Sequence, residues 1–94
     1  GADLRSAYLG LGSTYRTLGL YTESKATLLE GLSHFPDAHE MTAFLAMTRY
    51  NLGEHHAAVA SLLKLLVETT SDTEIKGYQR AILFYAENLD QTWG

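Results

Sequence analysis

Apolar residues recur every three or four positions along most of this chain. The first stretch with this spacing contains Tyr8, Leu11, Tyr15 and Leu18, and the second contains Leu28, Leu32 and Phe35. A period of three to four places these side chains on one face of an α-helix, whereas a strand would alternate every second residue. The pattern therefore predicts an all-α chain.

The predicted helices are separated by residues that stop and start helices. Gly19 and Gly53 can adopt the left-handed backbone that closes a helix, so each is expected to end one. Pro36 is expected to end the next helix, and Asp37 to cap its successor with Glu40 completing a capping box. Ser71 and Glu74 stand 34 residues after Asp37 and Glu40 and repeat the spacing of that capping pair. A further helix is therefore expected to begin near Asp72.

The sequence repeats itself with a period of 34 residues. A shift of 34 pairs Leu11 with Leu45, Leu18 with Leu52, Gly19 with Gly53, Leu28 with Leu62 and Leu32 with Leu66. Such self-similarity is typical of stacked helical hairpins. We predict one domain over residues 1–94, with repeat 1 at about 5–38, repeat 2 at about 39–72 and a capping helix at about 72–92. This makes two and a half hairpins, or five helices.

The Gly-x-Gly at Gly10 and Gly12 admits two interpretations. Glycines followed by Ser and Thr resemble a loop that cradles phosphate, but they also suit a helix that packs closely against another. In the second unit Gly10 becomes Phe44 and Gly12 becomes Ala46, so small size persists only at the second position. The repeat therefore favours packing at Gly12 over a phosphate loop.

The first unit resembles a tetratricopeptide repeat. The residues that carry the resemblance are Tyr8, Leu11, Gly12, Tyr15, Gly19, Tyr21, Leu28, Gly31 and Pro36. Ser24 stands where the family has an alanine, while the second unit has Ala58 there but departs at Arg49, Leu65 and Thr70. Overall the chain is similar to short bacterial proteins built from a few such repeats. The resemblance implies a right-handed superhelical solenoid that serves protein–protein interaction.

The last predicted helix fits the repeat less closely. It places Ile75, Tyr78, Ile82, Tyr85 and Leu89 on one face. Gln79 and Arg80 occupy positions where an ordinary repeat has a leucine and a small residue. We therefore expect this helix to pack in a shifted register and to end the stack.

Composition narrows the possible partners. The chain has 94 residues, seven Lys and Arg, and a net charge of -4, which disfavours binding to nucleic acid. Its apolar stretches are interrupted by charge, as by Lys64, so no membrane span is expected. Cysteine is absent, which excludes disulfides and thiol nucleophiles, and a cytoplasmic location is expected.

Chemistry-bearing residues do not form a catalytic pattern. His55 and His56 are neighbours on a helix and point about 100° apart, so they cannot chelate one ion together. His39 begins a "HEMTA" sequence that lacks the second histidine of a zinc-peptidase helix, because Ala43 stands there. We predict no catalytic residue, no metal and no cofactor, and hence a protein that is not an enzyme.

The resemblance implies a concave groove lined by the first helix of each unit. The implied lining residues are Leu9, Ser13, Arg16, Thr17, Ala43, Met47, Tyr50 and Asn51, with Phe84 and Tyr85 extending the groove from the last helix. This mixture suits a peptide or the apolar face of a partner helix. Leu9, Ser13 and Ala43 stand where some family members clamp a terminal carboxylate, so such a clamp is not supported. Met47, Tyr50 and Phe84 are equally compatible with packing between helices.

A second hypothesis is self-assembly. The helix "VASLLKLLV" carries more leucines than one buried stripe needs, and Leu29, Leu63 and Val67 are the candidate residues of a homodimer face. Two and a half repeats lie near the lower limit for stability. An upstream hairpin or a second subunit is therefore expected to cover Tyr8 and Leu11.

Overall fold

The computed structural model describes residues 2–93, which form six α-helices in chain order. Their bounds are α1 (Ala2–Thr17), α2 (Tyr21–His34), α3 (His39–Asn51), α4 (His55–Thr69), α5 (Thr73–Gly77) and α6 (Gln79–Ala86). No strand occurs within this described range, so the all-α prediction is confirmed. Gly1 and Gly94, the ends of the predicted domain, lie outside the described residues.

Helices α1 to α4 form two hairpins that repeat with the predicted period. Helix α1 ends at Thr17 and α3 ends at Asn51, 34 residues later. Each hairpin turns at a glycine with a positive φ, 78° at Gly19 and 79° at Gly53. Residues with a Cβ are strained in this conformation, which is why both turns contain glycine. The predicted role of the two glycines is confirmed.

The close approach of α1 to α2 depends on Gly12. A Cβ at this position would lie 2.6 Å from both Cγ and Cδ2 of Leu28, a residue with 0% exposure. Gly10 has no such neighbour, since nothing lies within 4 Å of its would-be Cβ. Both glycines lie inside α1, which rules out the phosphate loop and confirms packing as the role of Gly12.

The core lies where α3 packs against the first hairpin. Its fully or nearly fully buried members are Leu28, Ala38, Met41 and Leu45, and the partly buried Tyr8, Leu9, Leu32, Phe35 and Phe44 pack against them. Two buried hydroxyls also join these helices. Ser24 Oγ donates to the Gly12 carbonyl at 2.8 Å and lies 2.9 Å from Thr48 Oγ1.

The start of α3 differs from the sequence prediction. Asp37 does not cap it, because the residue before the helix is Ala38 and no side chain accepts a bond from the first turn. Glu40 is bound to Arg5 of α1 instead of completing a capping box. At the next helix start, Asp72 Oδ1 accepts from the Ile75 N–H at 3.0 Å, and α5 begins at Thr73 as expected.

The predicted capping helix at 72–92 is wrong in extent and number. It divides at Tyr78 into α5 and α6, so the described chain has six helices rather than five. Gly77 precedes the break, and glycine favours a helix interior less than alanine by about 1 kcal/mol. The second part ends at Ala86, where Asn88 Nδ2 donates to the Phe84 carbonyl at 2.8 Å and satisfies a group at the helix end.

The break changes which face of the last segment is buried. Ala86 is fully buried, whereas Tyr78 is 66% exposed and Tyr85 is 52% exposed. Of the predicted shared face, Ile75 and Ile82 are partly buried, whereas Tyr78, Tyr85 and Leu89 are exposed, so the predicted face packs only in part. Helix α6 lies against α4, on the side where Lys64 forms an ion pair with Glu87.

Candidate functional site

Two polar contacts fix α1 beside α3, the two helices that were predicted to line the groove. Arg5 donates from Nε and Nη2 to the Glu40 carboxylate at 2.6 and 2.8 Å. Near the other end, Arg16 Nε donates to Asn51 Oδ1 at 2.8 Å. The Arg5 guanidinium lowers the pKa of Glu40 to about 2, so the pair stays charged at neutral pH. The two helices thus form one surface of defined register.

The predicted groove residues divide by exposure. Leu9 is partly buried and packs against the core, while Ser13 and Ala43 are also partly buried. Thr17 is exposed, and its hydroxyl donates to the Thr14 carbonyl at 2.9 Å. Leu9, Ser13 and Ala43 therefore lie at the base of the surface, and Thr17 lies at its end. None of the four is a prominent contact residue for a partner.

Met47 and Tyr50 are the most prominent apolar side chains of the predicted groove. Met47 is 40% exposed and Tyr50 is 64% exposed. The Tyr50 ring lies against His55, with 5.0 Å between the ring centroids. This contact connects the end of α3 to the start of α4 and holds the Tyr50 ring beside the second hairpin.

An apolar pocket of about 280 Å³ opens beside these two residues. Its lining comes from α1, α3 and α4: Arg16, Ala46, Met47, Tyr50, Ala58, Val59 and Leu62. Small residues form its base, and aliphatic or aromatic groups form its walls. Because Arg16 is its charged lining residue, a ligand with an apolar body and an oxygen acceptor near Arg16 would fit it chemically.

Three of these lining residues came from the predicted groove, and four were missed. The missed residues are Ala46, Ala58, Val59 and Leu62. The signal for Leu62 was present in the repeat, because it corresponds to Leu28 after a shift of 34. Leu28 is 0% exposed beneath α3, whereas Leu62 is 43% exposed. On the first hairpin the surface around Leu28 is covered by α3. The pocket lies at the corresponding surface of the second hairpin, around Leu62.

The predicted groove residues of the last helix lie in a separate cluster. Phe84 stacks on Tyr85 at 5.7 Å, and Trp93 packs edge-on against both rings at 5.9 and 5.5 Å. All three side chains are 46% exposed or more. None of them lines the pocket between α3 and α4.

The three candidate residues of the homodimer face, Leu29, Leu63 and Val67, differ in their exposure to solvent. Leu29 is 41% exposed on α2, while Leu63 and Val67 on α4 are partly buried. The more exposed aliphatic residues of α4 are Val59, Leu62 and Leu66, at 40% to 44%. These three follow a helical spacing and form a separate stripe.

Among residues 2–93, no group of three or more His, Asp or Glu side chains is placed to hold a metal ion. The larger depressions, of about 330 to 340 Å³, are lined partly by charged residues such as Lys64, Glu68 and Glu87. No helix in the described part of the chain has the length and apolarity that crossing a bilayer requires.

Residues 6–37, which include most of α1 and all of α2, match the family model of the tetratricopeptide repeat. The matched segment is about a third of the chain. Together with the all-helical hairpin architecture, the match supports a tetratricopeptide-repeat protein and suggests a protein–protein interaction module. No curated protein matches the chain.

Proposed function

We propose that this chain is a non-catalytic adaptor that binds a helix or peptide of a partner protein on the surface formed by α1, α3 and α4. The observation that carries the proposal is the apolar pocket of about 280 Å³ between Met47, Tyr50, Val59 and Leu62. Exposed apolar residues gathered around a concavity mark binding surfaces more often than scattered ones do. The tetratricopeptide-repeat match to the first hairpin supports the same class of function.

The lining defines the chemistry of the proposed ligand. Met47 is flexible and polarisable, and Tyr50 offers a large ring at low entropic cost, so both suit the apolar side of an amphipathic helix. Arg16 keeps N–H groups beyond the one that it donates to Asn51. We therefore propose a ligand with two or three apolar side chains on one face and a carboxylate or carbonyl near Arg16.

Peptides selected from a phage-displayed library on the immobilised protein would test this proposal. We expect Met47→Glu and Tyr50→Ala to weaken the binding of a selected peptide at least tenfold, which is the typical loss at a central contact residue. Fluorescence anisotropy with labelled peptide measures the dissociation constant of each variant. The melting temperature should change little, because both side chains are exposed.

Two matched controls exist elsewhere on the surface. Tyr78 is 66% exposed against 64% for Tyr50, and Leu29 is 41% exposed against 40% for Met47. Tyr78→Ala and Leu29→Glu should leave the dissociation constant unchanged. The proposal is wrong if the control variants weaken binding as much as the pocket variants do, or if Met47→Glu unfolds the protein.

A further inference from the structure

We propose that copies of this chain stack head to tail, with α1 of one copy seated on α3 and α4 of the next. This inference goes beyond the adaptor function, although both use the pocket beside Met47 and Tyr50. The internal repeat of the chain contains one example of this contact, between α3 and the first hairpin, and the two surfaces for a second, on α1 and on α4.

The occupied example is the packing of α3 on the first hairpin. Helix α3 buries Ala38, Met41, Leu45 and Thr48, all at 6% exposure or less, against α1 and α2. The receiving stripe on α2 is Lys25, Leu28 and Leu32. Leu28 is fully buried, and Lys25 forms an ion pair with Glu54 at 2.8 Å.

The receiving stripe recurs on α4 and is uncovered. A shift of 34 converts Lys25, Leu28 and Leu32 into Val59, Leu62 and Leu66. These three are 40% to 44% exposed, while the end of α6 reaches α4 at Lys64, which pairs with Glu87. The second hairpin thus offers the surface that the first hairpin offers to α3. The last segment of the chain comes near it at Val59, where Leu89 and Asp90 line a shared depression, and it leaves Leu62 and Leu66 about 40% exposed.

The inserting face recurs on α1 and is also uncovered. The equivalents of Ala38 and Leu45 are Leu4 and Leu11. Their exposures are 49% and 47%. The equivalents of Met41 and Thr48 are Ala7 and Thr14, which are also exposed. Leu4 and Leu11 lie on one face of α1, since they are seven residues apart and two helical turns span about that number. Among residues 2–93, α1 therefore carries the insert and α4 carries its receptor.

The residue pairs of the occupied contact map onto compatible pairs between copies. Leu28 with Leu45 becomes Leu62 with Leu11, which is again an aliphatic pair. The ion pair of Lys25 with Glu54 becomes Val59 with Leu20, and these side chains are 44% and 42% exposed. An apolar pair thus replaces a charged pair, as suits a contact between separate molecules that excludes water.

Side-chain sizes compensate across the same mapping. In the occupied contact Gly31 leaves room for Met41, because a Cβ at Gly31 would lie 2.5 Å from the Met41 sulfur. Between copies the equivalents are Leu65 and Ala7, so the large and small partners exchange places. The Arg5 and Glu40 pair becomes His39 and Ser6, which introduces no like-charge repulsion. The hydrogen-bonded Ser24 and Thr48 become Ala58 and Thr14, so this polar link of the occupied contact has no equivalent between copies, and apolar side chains carry the proposed contact.

The proposed contact uses different surfaces on the two partners, so it does not close on itself. Heterologous contacts of this kind propagate into rings or open stacks, whereas a twofold contact stops at the dimer. Sedimentation velocity across a concentration series from about 10 µM to about 1 mM measures the outcome, since a contact of one helix on two is small and micromolar or weaker affinity is expected. The weight-average mass of the wild type should rise beyond that of a dimer.

Two single substitutions separate the two ends. Leu11→Glu removes the insert, and Leu62→Glu removes the receptor; each side chain is nearly half exposed, so both variants should fold, as circular dichroism would verify. Each variant alone should remain a monomer. An equimolar mixture should form a one-to-one dimer that grows no further, because one variant keeps a working receptor and the other a working insert.

The control and the contradicting results are equally specific. Tyr78→Glu, with 66% exposure between α5 and α6, should assemble like the wild type. If Leu11→Glu or Leu62→Glu unfolds, Leu4→Glu and Leu66→Glu test the same two surfaces.

A wild type that stays monomeric throughout the series would overturn the proposal. The stripe of Val59, Leu62 and Leu66 would then be a site for a helix of another protein. A dimer that Leu11→Glu does not weaken, or a mixture that does not associate, would overturn it too. Leu11→Glu should still bind the selected peptide, which keeps this test separate from the adaptor test.

Discussion

The hydroxyl oxygens of Ser24 and Thr48 lie 2.9 Å apart, and both side chains are fully buried between α2 and α3. Ser24 Oγ also lies 2.8 Å from the Gly12 carbonyl, to which it donates, and Thr48 Oγ1 lies 3.3 Å from the Phe44 carbonyl. This polar chain links three helices in the middle of an otherwise apolar contact. It fixes the position of α3 on the first hairpin.

We expect Ser24→Ala and Thr48→Val each to lower the free energy of unfolding by about 1 kcal/mol, which is the usual net contribution of a buried hydrogen bond. The double variant should lose less than the sum, because neither residue then leaves a buried hydroxyl without its partner. Urea denaturation followed by circular dichroism measures all three values. Strictly additive losses would contradict the hydrogen bond.

Gly10 and Gly12 should respond in opposite directions to alanine. Gly10→Ala should stabilise the protein by about 0.5 to 1 kcal/mol, since the new methyl meets open space and alanine favours the helix. Gly12→Ala should destabilise it by about 1 to 3 kcal/mol, because its methyl would press on the buried Leu28. Thermal denaturation of the two variants tests the difference. Equal shifts of the melting temperature would show that Gly12 does not set the helix spacing.

Stability should fall as the solution is acidified. The pKa of Glu40 is about 2 in the folded chain, against an ordinary value of 4.5, because Arg5 binds its charged form. The folded state therefore binds fewer protons, and this contribution is complete above the unfolded value and is lost between about pH 5 and about pH 2. Lys25 lowers the pKa of Glu54 in the same direction. Melting temperatures over this range should decline less steeply in Glu40→Gln, and identical slopes would contradict the assignment.

The last segment should loosen before the hairpins do. Helix α5 has no buried residue, and α6 buries only Ala86, so few apolar contacts hold them. The chain has a single tryptophan, Trp93, which packs on Phe84 and Tyr85. In a urea series, tryptophan emission should change at lower concentration than far-ultraviolet ellipticity. Superimposable transitions would show that this segment unfolds with the rest.

Local signals in the sequence predicted the hairpins well. Gly19 and Gly53 could be assigned to turns because positive φ is a property of the backbone at one residue. The groove helices could be located because the resemblance to the tetratricopeptide repeat implies that the first helices of successive units, here α1 and α3, lie side by side. The small residue at Gly12 could be interpreted because its counterpart in the second unit is Ala46.

Contacts between residues far apart in the sequence determined the features that local signals did not predict. Glu40 suited a capping box, but Arg5 lies 35 residues earlier in the chain and binds it in the fold. The capping helix was expected to be continuous, but it breaks at Tyr78, and α6 packs against α4 with Glu87 paired to Lys64. Leu62 repeats Leu28 in the sequence, yet Leu62 is 43% exposed and Leu28 is buried, a difference that the 34-residue period does not contain.

The two methionines of this chain allow a direct test of the binding surface. Met41 is fully buried in the core, while Met47 is 40% exposed and lines the pocket. In a ¹³C-methyl spectrum of the protein, a saturating amount of a selected peptide should shift the Met47 resonance and leave that of Met41 in place. An unchanged Met47 resonance in the presence of bound peptide would contradict the proposal that partners bind between α3 and α4.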